Sequence, residues 1–196
     1  FRCAPTRTAA RLNRGDTCHA AWSLPFGSAL GVHGRLGEKP LKRLQKRLCG
    51  VQETTIDEIS MLSPEKFEQI NNRAQQGTGK LATFMGGLKL RLSCDFLQLP
   101  PVRSCSFATP EQRFVAPDDG AAQDDDDGDE LVAERSRGLH SFRQIQDVVC
   151  LSRVVRAPNA LGALCTFVRH LKITDDVWTL LQSRVLRPNH EQMSSE

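Results

Sequence analysis

The stretch TTIDEISML, residues 54–62, sets two carboxylates, Asp57 and Glu58, side by side between apolar neighbours. Adjacent strand residues point to opposite faces, but at a strand's carboxyl end both can turn into one crevice, where open α/β sheets hold their ligands. Two carboxylates in such a place can divide metal holding from water activation. The same pair in a surface turn does neither, and the pair alone does not separate these readings.

Two further stretches carry chemistry. In CDFLQLPPV (94–102) a strand delivers Asp95 and Gln98, and Pro100-Pro101 then prevent the chain from continuing in a ladder. A glutamine on so rigid a turn suits an amide that reports on a bound group; the plain alternative is a proline-stiffened loop. In CAPTRTAARLNRGDTCHAAWSLP (3–25), Pro5-Thr6 falls at a strand-to-helix junction, where amides and a hydroxyl can hold a phosphate. His19 and Trp22 follow, and an imidazole or indole can stack on an unpaired base.

A fourth stretch, Gly77-Thr78-Gly79-Lys80, has the look of a phosphate-binding loop without its requirements. That loop needs a preceding strand, an earlier glycine and a hydroxyl after the lysine. Here a polar helical stretch precedes it, Ala74 occupies the first glycine's place and Leu81 follows the lysine. It reads as a helix-terminating turn.

The elements that must position these residues alternate in a βαβ rhythm, which predicts a parallel sheet. RCAP (2–5), VQETTID (51–57), LKLRLS (88–93) and DVVCL (147–151) read as strands, and TRTAARL as a helix. KPLKRLQKRLCG (39–50) puts Leu41, Leu44 and Leu48 on one helical face and Lys42, Arg43, Lys46 and Arg47 on the other. That basic stripe is a solvated face or a nucleic-acid contact. Ser63-Pro64-Glu65 reads as a capped helix start, with Phe67 and Ile70 buried and the helix stopping before Gly77. Ala157–Leu171 and Thr174–Gln182 read as helices, the second capped by Thr174. Residues 104–138 show no periodicity and read as a disordered surface insertion.

The bulk properties are those of a soluble globular chain, with 39% hydrophobic and 25% charged residues among 196. No apolar run reaches the length of a membrane span, so no membrane partner is expected. Seven scattered cysteines, never as C-x-x-C, predict free thiols in a reducing intracellular compartment, with neither zinc site nor disulfide framework. Residues 118–130 hold eight acids and no base; the rest of the chain carries 26 Lys and Arg against 15 Asp and Glu. A body that basic fits a polyanion partner. The chain begins at Phe1, as a fragment of a longer reading frame would.

In their order along the chain, IDEISM and CDFLQLPPV resemble the Walker B and third motifs of the PIF-type (petite integration frequency) ATP-dependent DNA helicases of superfamily one. CAPTRTAARL and DTCHAAWSL resemble that family's first DNA-contacting motifs, and LSRVVRAPNALGALCTFVRHLKITDDVWTLLQSRV its stretch around motif four. The resemblance implies an α/β fold: a partial P-loop NTPase (RecA-like) motor domain over 1–152, its mostly parallel sheet flanked by helices on both faces. By composition, residues 118–130 read as an acidic disordered insertion within that span, which the resemblance skips, and 153–196 begin a second motor region. It implies ATP and Mg2+ as cofactors and single-stranded DNA and DNA forks as partners, with roles in repair, recombination and telomere maintenance, in the nucleus or mitochondrion. Carried over by residue, Asp57 holds magnesium, Glu58 activates the attacking water, and Gln98 senses the γ-phosphate. Arg156 neutralises charge on the transferred phosphoryl group, and Pro5, Thr6 and His19 line the DNA track.

The chain also departs from the family pattern. It contains no P-loop, Arg7 replaces a glycine after Pro-Thr, Cys94 replaces the glycine before Asp95, and Ala157 replaces a glutamine. Gln52 and Glu53 stand where a central parallel strand is normally a continuous apolar run. The alternative is therefore a remnant that hydrolyses nothing and serves at most as a nucleic-acid-binding module.

Overall fold

A computed structural model describes residues 1–25, 34–102, 104–109, 125–151, 155, 160–170 and 174–183. The chain divides into two compact units, Phe1–Asp147 and Val148–Glu196.

The first unit is built on four strands: β1 (Arg2–Ala4), β2 (Asp16–Thr17), β3 (Glu53–Ile56) and β4 (Lys89–Leu92). They lie in the order β2-β1-β3-β4 and every pairing is parallel. The helices are α1 (Arg7–Leu12), α2 (Cys18–Trp22), α3 (Glu38–Leu48), α4 (Pro64–Thr78) and α5 (Asp125–Phe142). Parallel neighbours need crossovers, and α1 and the α2–α3 and α4 segments supply them.

The polar residues of the central strand have a structural reason. Thr54 and Ile56 are fully buried, while Glu53 and Thr55 on the other face of β3 stay partly exposed. There the Glu53 carboxylate is held by Arg91 of β4 at 3.0 Å, in a half-open environment where such a pair adds little stability. The core lies on the Ile56 side, where Trp22, Leu44, Phe67, Ile70 and Met85 close around α4.

α4 begins at Pro64 as the sequence predicts, and Phe67 and Ile70 are buried. Ser63 caps it through its backbone carbonyl, which accepts from the Phe67 amide at 3.0 Å, and not through its hydroxyl. The helix does not stop before Gly77. It runs on to Thr78 and ends on Gly79, whose left-handed φ of 75° is a glycine conformation. Gly77 stays inside because α3 packs on it: a Cβ there would meet Leu48 Cδ1 at 2.6 Å.

Two expectations fail. Residues 125–138, read as part of a disordered insertion, belong to α5, whose second half packs on α4. The seam is polar: Ser141 donates to Glu68 at 2.6 Å, Arg135 faces Glu65 at 3.8 Å, and all four residues are buried. Gly138 brings the helices together, for a Cβ would lie 1.9 Å from the Pro64 carbonyl oxygen. Residues 118–124 of the acidic run lie outside the described residues. The second failure is DVVCL, which forms no strand; Val148, Val149 and Leu151 are 76%, 86% and 93% exposed. Strand propensity needs a ladder partner, and among the described residues this segment has no ladder pairing.

In the second unit, α6 (Ala160–Arg169) and α7 (Asp175–Ser183) fall within about three residues of their predicted bounds. The Thr174 hydroxyl accepts from the Val177 amide at 3.5 Å, at the start of α7.

Candidate functional site

The carboxyl ends of β1, β3 and β4 gather the site. Asp57 is the first residue beyond β3, and its amide donates to the Cys3 carbonyl at 2.9 Å. The ladder then closes around it: the Ser93 amide donates to the Ile56 carbonyl at 3.1 Å and the Ile59 amide to the Ser93 carbonyl at 3.0 Å. Asp57 Oδ1 accepts from the Ser93 hydroxyl and, at 3.0 Å, from the Glu58 amide. The carboxylate is thereby oriented, not merely exposed.

Glu58 breaks the strand alternation. Its φ of 55° and ψ of 43° place a non-glycine residue in the left-handed region, at a cost of order 1–3 kcal/mol. The next residues, Ile59–Met61, make a 3-10 turn that Glu58 precedes without capping through its side chain. The turn swings Glu58 out of the strand direction while Asp57 is held by Ser93, so neighbouring carboxylates leave one strand end on different paths. Strain of this kind persists where surrounding structure over-determines it and clusters at functional sites.

Gln98 is set by Asp95. The Asp95 carboxylate accepts from the Leu97 amide and the Gln98 side-chain amide, both at 3.1 Å, and its carbonyl accepts from the Gln98 amide at 3.0 Å. One Nε2–H is engaged there, and the second remains to donate, as contact with a phosphate oxygen requires. Glu58 and Gln98 line one cleft of about 210 Å³, together with Thr6, Met61 and Leu99. Thr6 is the N-cap of α1 and its Oγ1 accepts from the Ala9 amide at 3.2 Å. The hydroxyl proton is left to donate, which is the half a phosphate needs. Pro5, half-buried, precedes it.

The remaining expected residues fall elsewhere. His19 on α2 is half-buried and does not line the cleft; burial, and then Lys66, hold its pKa below the ordinary imidazole value. Trp22 is no base-stacking platform. It is fully buried, edge-on to Phe1 at 5.1 Å, and its indole donates to Cys3 Sγ at 3.3 Å. Arg156 lies outside the described residues. The Gly77–Lys80 stretch is the helix end the sequence suggests.

Sequence reasoning missed Ser93, the partner of Asp57. The signal was register: with Ile56 opposite Leu92, the next step sets Asp57 beside Ser93. Cys94, in place of a glycine, carries a thiol whose pKa is pushed up by burial and then by the carboxylates of Asp95 and Glu58. The site's field is negative, as a cation site requires.

The family model for PIF1-like helicases matches residues 4–115, more than half of the chain. The chain belongs to the PIF1-like helicase family. It is 37% identical over 103 residues to "ATP-dependent DNA helicase PIF6" of Trypanosoma brucei brucei (strain 927/4 GUTat10.1), covering 52% of this chain and 13% of that protein. With "ATP-dependent DNA helicase PIF1" of Xenopus laevis it shares 36% over 110 residues, 56% of this chain and 17% of that one. The chain thus spans under a fifth of the length of these curated relatives.

Solved structures agree on the fold. The crystal structure of Bacteroides Pif1 bound to single-stranded DNA superposes with a TM-score of 0.66 at 23% identity, covering 95% of this chain and 40% of that one. Pif1 helicase from Candida albicans gives 0.60 at 21%, covering 94% and 37%. The PIF1-like span contains Pro5, Thr6, His19, Asp57, Glu58 and Gln98, and leaves out Arg156.

Proposed function

We propose that this PIF1-like chain carries the metal- and water-handling part of a motor that unwinds DNA at the expense of ATP. The observation that carries the reading is the convergence of Glu58 and Gln98 on one cleft, beside an Asp57 already oriented by Ser93. The Asp57 carboxylate, with the Ser93 hydroxyl beside it, is a hard oxygen donor that suits a magnesium ion. Bound there, the ion would neutralise phosphate charge during transfer. Asp57 would hold it through water. Glu58, uncommitted to capping, would orient and polarise the attacking water, and Gln98 would contact the γ-phosphate and signal its loss. Arg156 would supply the compensating cation. Thr6, at the mouth of the same cleft, would donate its hydroxyl to the backbone of a single strand, with Pro5 fixing the approach; His19, held neutral, would serve as an uncharged contact.

Single-stranded DNA and DNA forks are the partners of this reading, and repair, recombination and telomere maintenance in the nucleus or mitochondrion are its setting. The 196 residues contain no lysine-bearing phosphate loop, so the chain by itself is expected not to hydrolyse ATP. DNA-stimulated phosphate release from the purified chain, abolished by Glu58→Gln, would overturn that statement. The departures at Arg7, Cys94 and Ala157 favour the second reading, a binding module without turnover. Restoring the full reading frame and measuring hydrolysis separates the two.

A further inference from the structure

At the opposite, amino end of the sheet lies a larger cavity, about 560 Å³, that the motor reading does not use. Its walls come from the end of α3 (Gln45, Cys49), the end of α4 (Thr78, Lys80) and the start of β4 (Gly87, Lys89), and no lining residue is acidic. Gly87, at φ 78°, comes so close that a Cβ there would sit 3.3 Å from Lys80 Nζ. The nearest acid in the ladder is Glu53, register partner of Lys89, and Arg91 already holds it at 3.0 Å.

The positive field does not stop at the cavity. At 100° per residue, the exposed face of α3 continues round from Gln45 and Cys49 through Lys42 and Lys46 to Lys39 and Arg43. Two of this helix's cations are committed: Lys42 pairs with Glu38 at 2.5 Å, and Arg47 donates to the Ala20 and Ala21 carbonyls at 2.6 and 2.5 Å. Lys39, Arg43 and Lys46 are exposed and fall within about 60° of one another on the helix, spanning roughly 10 Å along it.

We propose that this face is a second nucleic-acid contact, in which one backbone phosphate enters the cavity between Lys80 and Lys89 and neighbouring phosphates follow the α3 row. A row of cations leading away from a cavity matches an extended polyanion better than a single phosphate, which would need the cavity alone. The contact is to backbone and carries no sequence preference. It lies at the far end of the sheet from Thr6 and Glu58 and does not depend on ATP turnover.

The test uses the 196-residue chain and a roughly 20-nucleotide oligothymidylate, long enough for such a track. Amine acetylation read by mass spectrometry, with and without the oligonucleotide at about 150 mM salt, reports each lysine on the unmutated protein. We expect Lys46, Lys80 and Lys89 to be shielded at least several-fold. Lys80→Glu with Lys89→Glu, and separately Arg43→Glu with Lys46→Glu, should each weaken binding about tenfold and flatten the slope of log affinity against log salt by about 1 to 2. Unchanged labelling of these lysines under saturating oligonucleotide overturns the proposal. Shielding by millimolar inorganic phosphate or ATP but not by the oligonucleotide overturns it too, and reassigns the cavity to a small anion.

Discussion

Two pairs of carboxylates stand a few residues apart and serve opposite ends. Asp57 and Glu58 sit half-exposed at the end of β3, one oriented by a hydroxyl and the other held in a strained turn. Glu65 and Glu68, on α4, are buried among partners within the protein: Ser104 donates to Glu65 Oε1 at 2.5 Å, Arg135 stands 3.8 Å from Glu65 Oε2, and Ser141 and Asn71 donate to Glu68 at 2.6 and 3.3 Å. A carboxylate whose partners are protein donors is part of the packing. One left facing a cleft has capacity for a ligand. Residue type does not separate the pairs; their partners do.

That difference can be broken from the packing side first. Gly138→Ala thrusts a methyl into the Pro64 carbonyl and must pry α5 from α4. We expect a loss of about 3 kcal/mol, the upper range for overpacking, read as a lowered denaturation midpoint. Glu58→Gln is the counterpart at the cleft. In the full-length protein it should slow hydrolysis about 100-fold, or about 2.7 kcal/mol in the barrier, with the midpoint unchanged. Equal turnover in variant and parent would remove Glu58 from the water-activating role.

Glu68→Ala should cost about 2 kcal/mol, because the buried Ser141 hydroxyl and Asn71 amide lose their acceptor, with no direct effect on the cleft. Smaller still is the strain at Glu58. Since φ there is 55°, Glu58→Gly should be more stable than Glu58→Ala by about 1 kcal/mol in chemical denaturation. Identical midpoints would mean the turn stores no strain.

The smallest effect is a pH dependence. His19 has its folded-state pKa below the ordinary value of about 6.5, because burial and Lys66 oppose its charging. Its contribution to stability is therefore complete above that value and is lost as pH falls below it. His19→Gln should flatten the stability profile in that acidic window, and a profile identical to the parent's would dismiss the effect.

Much of the scaffold was legible because its signals are local. Pro64 at a helix start, the leucine spacing in α3 and the strand-turn-helix rhythm around Thr6 each depend on neighbouring residues. The carboxyl-end cluster was legible too, since Glu58 and Gln98 each follow a strand, and parallel strands bring their ends together. α5 was not legible. Its packed stripe runs through Glu134, Arg135, Gly138 and Ser141, residues that look solvated until α4 supplies their partners. The same blindness to partners made a strand of DVVCL, a core tryptophan into a base platform, and passed over Ser93.

Among the described residues β4 pairs with β3 alone, so its outer rim is an open template of amide and carbonyl groups. What stands guard there is charge: Lys89 and Arg91 are exposed along the strand, Arg91 paired with Glu53, and two copies meeting rim to rim would crowd their Lys89 side chains together. A polyanion that neutralised them would lift the guard. Self-association of this chain should therefore rise with added polyanion and fall again as salt displaces it.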